Sequence, residues 1–183
     1  MAAKDEMKSK TCKADGVDNK ETFHCFFGKA SPFSQHHPAK FEIDGIIFNC
    51  AEQYMMYSKA VQFKDEEMKK KILGSSNPVE QKRFGRKVKN FEKDVWTSKA
   101  EDIVRTATLA KFEQNEDLRK QLLATYPATL VEASPRDRIW GIGLGLLNPK
   151  AQNRATWRGK NKLGQILTAV RDELLDDERE DPQ

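Results

Sequence analysis

Residues 41–63 read FEIDGIIFNCAEQYMMYSKAVQF, and the pattern of apolar residues changes within this stretch. Asp44 and Gly45 separate two short runs rich in Phe and Ile. Asp-Gly is a preferred pair for the two positive φ angles of a type I′ turn. These residues therefore predict a small β-hairpin.

A helix is predicted directly after the hairpin, over about residues 50–63. Asn49 and Glu52 have the spacing of a capping box, in which Asn caps the helix and Glu reaches back to it. Met56, Ala60 and Phe63 follow at intervals of four and three residues, which is typical of the apolar face of a helix.

The rest of the chain is also mainly helical in pattern. Asn77-Pro78 is a helix start, with Phe84, Val88 and Phe91 at helical spacing beyond it, and Gly74 closes a shorter preceding helix at about 65–73. Further helices are expected around 103–110, from about 115 to 123 and over 163–174, with a strand at 129–131. The predicted fold class is mainly α, a single multi-helix domain with a small β component.

Length and composition set the expected boundaries and location. A chain of 183 residues suggests one domain over 23–175, with a flexible arm at 1–22 and an acidic tail at 176–183. It has no apolar run long enough for a membrane helix and no secretion signal, and its three cysteines are widely spaced. We therefore expect an intracellular, cytoplasmic protein without a membrane partner, with nuclear entry left open.

Two carboxylates are candidates for chemistry. Glu52 and Lys59 lie two helical turns apart and so share one face of the predicted helix, although Glu52 can also be read as a cap and Lys59 as a solvated lysine. Asp137 lies in RDRIWG, where flanking arginines keep a carboxylate ionised and Trp140 offers a stacking surface; the alternative is an ordinary turn aspartate.

Other motifs give weaker signals. His36-His37 has no partner at metal-ligand spacing, so neither a metal nor a cofactor is expected. The glycines at 141–145 lack the spacing of a dinucleotide-binding loop. Residues 82–93, KRFGRKVKNFEK, fit either a helix with a charged outer face or a surface that follows a phosphate backbone.

These segments occur in an order that resembles the NADAR family, also called YbiA-like, from about Phe23 to Leu175. The resemblance rests on Phe33-Ser34, AEQYMMYSKA at 51–60, Trp96, KFEQN at 111–115, DRIWGIG at 137–143 and GKNKLGQIL from 159. It implies a mostly helical domain with N-glycosidase activity on ribosylated substrates. It also implies catalytic roles for Glu52, Asp137 and Lys59, and substrate binding by Phe33, Ser34, Trp96, Trp140, Gly141, Gly159 and Asn161.

The expected reaction is removal of ADP-ribose from ADP-ribosylated guanine in nucleic acid. Two alternatives remain: hydrolysis of a phosphoribosylated intermediate of riboflavin synthesis, and binding of ADP-ribose without cleavage. Lys59 either contacts an oxygen or phosphate, or forms a Schiff base with an opened ribose. The chain reads Ser34-Gln35-His36-His37 where the family more often has Ser-Asn-Phe, so the substrate contact of that Asn is not expected here.

Overall fold

The computed structural model describes residues 21–180. These residues form six α-helices and two two-stranded sheets, which confirms the mainly α fold class. The elements are β1 Phe23–Phe26, β2 Phe41–Ile43, β3 Ile46–Phe48, α1 Ala51–Gln62, α2 Glu66–Leu73, α3 Pro78–Gly85, α4 Lys93–Glu113, α5 Glu116–Leu123, β4 Thr129–Glu132 and α6 Lys162–Glu180.

The predicted hairpin is confirmed. Strands β2 and β3 pair antiparallel, with Phe41 opposite Phe48. Asp44 has a φ of 52° and Gly45 a φ of 76°, the two positive angles that a type I′ turn requires.

A second sheet, which the sequence did not predict, joins distant parts of the chain. Strand β1 pairs in parallel with β4, with Phe23 opposite Thr129 and Phe26 opposite Glu132. Because parallel strands end at the same edge of a sheet, the segment after β1 and the segment after β4 leave the sheet side by side. Helix α6 packs against β4, and the main core lies between these elements and helices α1 to α5.

The predicted capping box is wrong. Cys50, rather than Asn49, is the N-cap of α1, and no side chain caps the helix. The Asn49 side chain is bound elsewhere: its Nδ2 donates to the Ser75 carbonyl at 3.0 Å and its Oδ1 accepts from Gln81 at 3.0 Å. The carboxylate of Glu52 therefore has no capping role.

The basic segment 82–93 is not one helix. Asn77 caps α3 as predicted, but α3 ends at Gly85 and α4 begins at Lys93. Between them, Asn90 has a left-handed φ of 55°. Its conformation turns the chain, so the cations of this segment do not form one continuous stripe.

The described structure extends beyond both ends of the predicted domain, 23–175. Helix α6 continues to Glu180, five residues into the predicted acidic tail, while residues 1–20 and 181–183 lie outside the described residues. The Thr22 carbonyl accepts a hydrogen bond from Thr129 at 2.9 Å, and the Glu21 carboxylate pairs with Arg154. Among the helices of residues 21–180, none has the length and apolar character needed to cross a membrane.

Candidate active site

A cavity of about 460 Å³ lies where helices α1 and α3 meet the segments that follow β1 and β4. Its lining contains five of the residues predicted to form the site. These are Ser34, Glu52, Lys59, Asp137 and Trp140.

Glu52 gives the cavity a buried carboxylate. The residue lies in the first turn of α1 and is 4% exposed. Its Oε1 accepts no hydrogen bond from any residue that the structure describes, and its Oε2 lies 3.5 Å from Nε2 of His36. Leaving a buried oxygen without a hydrogen bond costs free energy. This oxygen can therefore accept a hydrogen bond from a substrate hydroxyl or a water molecule.

A buried lysine, Lys111, holds the backbone just before His36 in place. Nζ of Lys111, in α4, donates to the carbonyls of Pro32 at 2.6 Å and Ser34 at 3.0 Å. Burial lowers the pKa of Lys111 to about 7. The backbone N–H of Glu52 also donates to the Gln35 carbonyl at 3.0 Å, which ties α1 to the same segment.

Asp137 organises the opposite loop. Its Oδ1 accepts hydrogen bonds from the backbone N–H groups of Ile139 at 2.9 Å and Trp140 at 2.8 Å. This local bonding holds both the carboxylate and the indole at the cavity wall.

Two predicted glycines support this loop from outside the cavity. A Cβ on Gly159 would lie 2.3 Å from the carbonyl oxygen of Gly141, and a Cβ on Gly141 would lie 2.9 Å from that of Glu132. Both distances are too short for real side chains, so the three backbone segments can approach only because glycine occupies these positions.

Glu132 is a cavity residue that the sequence analysis missed. It is the last residue of β4, and its pKa is raised to about 7, mainly by burial and further by Asp137, with Lys82 acting in the opposite direction. Asn161 bonds the strand on either side of Val131: its Oδ1 accepts from the Glu132 N–H at 2.9 Å and its Nδ2 donates to the Leu130 carbonyl at 3.0 Å. A glutamate that ends an apolar strand, TLVE, was the available signal.

Lys59, in α1, brings an amine to the cavity wall. Its Nζ lies 4.1 Å from the centroid of the Phe91 ring and 5.8 Å from that of Trp96. Burial, and then the nearby Arg86, lowers the pKa of Lys59. Trp96 thus lies near the Lys59 amine but is not itself in the cavity lining.

Three further cations, Lys29, Lys82 and Arg86, line the cavity. Within residues 21–180, none of them forms a salt bridge with a carboxylate. Two cations of the basic segment 82–93, Lys82 and Arg86, therefore line the cavity.

The other predicted binding residues surround the cavity without lining it. Phe33 is 6% exposed and packs edge-on against Phe26, with ring centroids 5.6 Å apart. Gly141, Gly159 and Asn161 position backbone, as described above. Substrate contact by these residues and by Trp96 stays a prediction.

Comparison with known proteins identifies relatives over most of the chain. The family model described as NADAR domain matches residues 18–175. N-glycosidase R617 of Acanthamoeba polyphaga mimivirus is 43% identical over 146 residues, which are 77% of this chain and 86% of the relative. Protein irg-1 of Caenorhabditis elegans is 38% identical over 173 residues, 86% of this chain and 82% of the relative.

A solved structure has the same fold. The NMR structure of the Escherichia coli protein YbiA is similar with a TM-score of 0.73 and 31% sequence identity, and the match covers 90% of this chain and 91% of that one. The corresponding sequence, N-glycosidase YbiA of strain K12, is 35% identical over 133 residues, 73% of this chain and 74% of the relative.

Proposed function

Because this chain belongs to the NADAR family, we propose that it is an N-glycosidase that removes ADP-ribose from ADP-ribosylated guanine in nucleic acid. The names of the relatives R617 and YbiA support the reaction class. The observation that carries the proposal is the cavity, which collects the carboxylates of Glu52 and Asp137 together with cations that have no carboxylate partner among the described residues.

The carboxylates suit cleavage of a ribosyl C–N bond. As the bond breaks, positive charge develops on the anomeric carbon and the ring oxygen of the ribose, and a nearby carboxylate stabilises that charge or activates water. The Oε1 of Glu52 is buried and accepts no hydrogen bond from residues 21–180, so Glu52 is assigned to this step. Asp137 is assigned to the ribose hydroxyls, and Trp140 to packing against the base or sugar.

The cations support an anionic substrate. ADP-ribose carries a diphosphate, and ammonium and guanidinium groups are the usual protein partners of phosphate oxygens. Lys29, Lys82 and Arg86 are available for that diphosphate, and Lys59 is assigned to a substrate oxygen. The cavity volume of about 460 Å³ lies within the range of roughly 300–1,000 Å³ that is usual for small-molecule sites.

Guanine in nucleic acid is favoured over a free riboflavin precursor because the chain has a net charge of +4 and a basic segment at the cavity. The residues at 82–93 that do not enter the cavity remain available to a phosphate backbone next to the modified base.

Two substrates tested side by side distinguish the readings. We expect the protein to release ADP-ribose from an ADP-ribosylated guanosine oligonucleotide and to leave a phosphoribosylated riboflavin precursor uncleaved. Ribose phosphate released only from the precursor would overturn the assignment to guanine. Calorimetric binding of free ADP-ribose without release from either substrate would instead identify a binding module and overturn the enzymatic assignment.

A further inference from the structure

Glu132 has no part in the steps assigned above, although its position in the cavity is fixed. It ends β4 opposite Phe26 of β1. Its N–H donates to Oδ1 of Asn161 at 2.9 Å, and its carbonyl accepts from the N–H of Ile142 at 3.0 Å. Since both backbone groups are bonded, the carboxyl enters the cavity from a rigid strand end.

The charged neighbours of Glu132 come from two sides. Asp137 faces it from the loop after β4, and Lys82 faces it from α3. Among the described residues, no cation forms a salt bridge with Glu132, whereas Glu52 on α1 lies beside His36. The cavity therefore holds two glutamates in different surroundings, which is the usual basis for dividing acid and base roles.

We propose that Glu132 is the general acid that protonates the nitrogen of the departing guanine. The proposal rests on the proposed function. The bond between the anomeric carbon and the guanine nitrogen breaks, its electron pair stays on nitrogen, and that nitrogen takes the proton of the Glu132 carboxyl. Water then adds to the anomeric carbon and gives its proton to the Glu52 carboxylate, so that ADP-ribose and unmodified guanine are released.

The two carboxyls return to their starting states through solvent. At the end of the reaction Glu132 is ionised and Glu52 is protonated, so one proton must pass from the second to the first. Burial and Asp137 favour the protonated form of Glu132 and raise its pKa to about 7, which means that a large fraction carries the needed proton near neutral pH.

The pH dependence of kcat/KM provides the first test. Wild type is expected to lose activity as pH rises above about 7, because Glu132 then loses its proton. Glu132→Gln is expected to be slower by roughly 10²- to 10⁴-fold and to lack this alkaline decline. A Glu132→Gln profile that keeps both the wild-type rate and the decline would overturn the proposal.

The leaving group provides the second test. A para-nitrophenyl glycoside of ADP-ribose departs without needing a proton, so Glu132→Gln should cleave it almost as fast as wild type while failing on the guanine substrate. Equal losses on both substrates would indicate a structural role and overturn the proposal. Glu42→Gln, which changes an exposed glutamate in β2, is the matched control and should behave as wild type on both.

These outcomes separate the inference from the function on which it rests. A wild-type protein that releases nothing from either substrate overturns the proposed function and this inference together. An active wild type with an equally active Glu132→Gln overturns the inference alone.

Discussion

Glu52 is buried at 4% exposure with one oxygen that no described residue satisfies. Leaving a buried acceptor unpaired costs about 1–3 kcal/mol, and more for a charged group. Folded proteins retain few such groups, and those retained often serve a function. At the scale of the residue, this unsatisfied oxygen is the strongest physical reason to assign Glu52 to the chemistry.

The local sequence around Glu52 predicted a capping role for its carboxylate. Asn49 and Glu52 have the spacing of a capping box, and only the long-range bonds of Asn49 to Ser75 and Gln81 show that the box does not form. A pattern four residues long cannot report such distant partners, so the predicted capping box was wrong. The helix face that Glu52 shares with Lys59, together with the family resemblance, indicated its place in the site.

Lys59 gives the first prediction. If its amine contacts a substrate oxygen or phosphate, Lys59→Met loses a charge-assisted hydrogen bond of about 1.5–3 kcal/mol, and KM should rise by roughly 10- to 100-fold. Lys59→Arg keeps a cation and should retain most of the affinity. Steady-state kinetics on ADP-ribosylated guanosine measures both.

The alternative role for Lys59 has a distinct signature. A Schiff base needs a primary amine, so Lys59→Arg would then be as inactive as Lys59→Met, and borohydride would trap a covalent adduct on the wild-type protein. Either result would contradict a role for Lys59 that is limited to contacting a substrate oxygen or phosphate.

At the scale of elements, the two segments that follow β1 and β4 build much of the cavity. The hairpin and most helices were predictable because their signals are local: a turn pair, a cap with Pro at N1, an apolar period. The β1 to β4 pairing was not, since its partners lie far apart in sequence and four-residue strands carry little pattern. The predicted strand, 129–131, ended one residue before Glu132, and only the long-range packing of β4 brings Glu132 to the cavity.

The close approach of the 137–143 loop to Gly159 gives the second prediction. Gly159→Ala places a Cβ 2.3 Å from a backbone oxygen that cannot move freely, and should lower the free energy of unfolding by about 1–3 kcal/mol. Activity should fall too, because Asp137 and Trp140 lie on that loop. Urea denaturation and turnover measure the two effects.

Gly145→Ala is the control for that change. The nearest atom to a Cβ at Gly145 is Cβ of Pro135, at 4.0 Å. The free energy of unfolding of Gly145→Ala should therefore stay within about 0.5 kcal/mol of wild type. Equal stability of the Gly159 and Gly145 variants would contradict the packing argument.

Lys111 links α4 to the Pro32–Ser34 backbone and gives the third prediction. In the unfolded chain the amine binds a proton up to about pH 10.5, whereas in the folded protein burial lowers its pKa to about 7. Above pH 7 the unfolded state therefore binds more protons than the folded state. The contribution of Lys111 to the free energy of unfolding then rises by up to about 1.4 kcal/mol per pH unit.

Lys111→Met should remove that dependence between about pH 7 and pH 9. Above this window the Cys50 thiol opposes it, because burial raises the pKa of Cys50 to about 11. Lys99→Met, an exposed change in the same helix, should keep the wild-type slope. Urea denaturation at several pH values measures the slope of the free energy of unfolding against pH. An unchanged slope in Lys111→Met would contradict the lowered pKa of Lys111.

At the scale of the molecule, the cavity is a property that no single segment encodes. The sequence correctly ordered most elements and named five residues that line the cavity, because the family motifs carry them. It could not separate lining residues from supporting ones such as Asn161 or Gly159, since that distinction depends on which side chains face the space and which hold its walls.

Single-turnover release of ADP-ribose from an ADP-ribosylated guanosine oligonucleotide tests the central claim most directly. Glu52→Gln should be slower than wild type by roughly 10²- to 10⁴-fold, with an unchanged calorimetric affinity for free ADP-ribose. Glu113→Gln, an exposed change at the end of α4, should match wild type. A Glu52→Gln protein that cleaves at the wild-type rate would contradict the assignment of this carboxylate to the reaction.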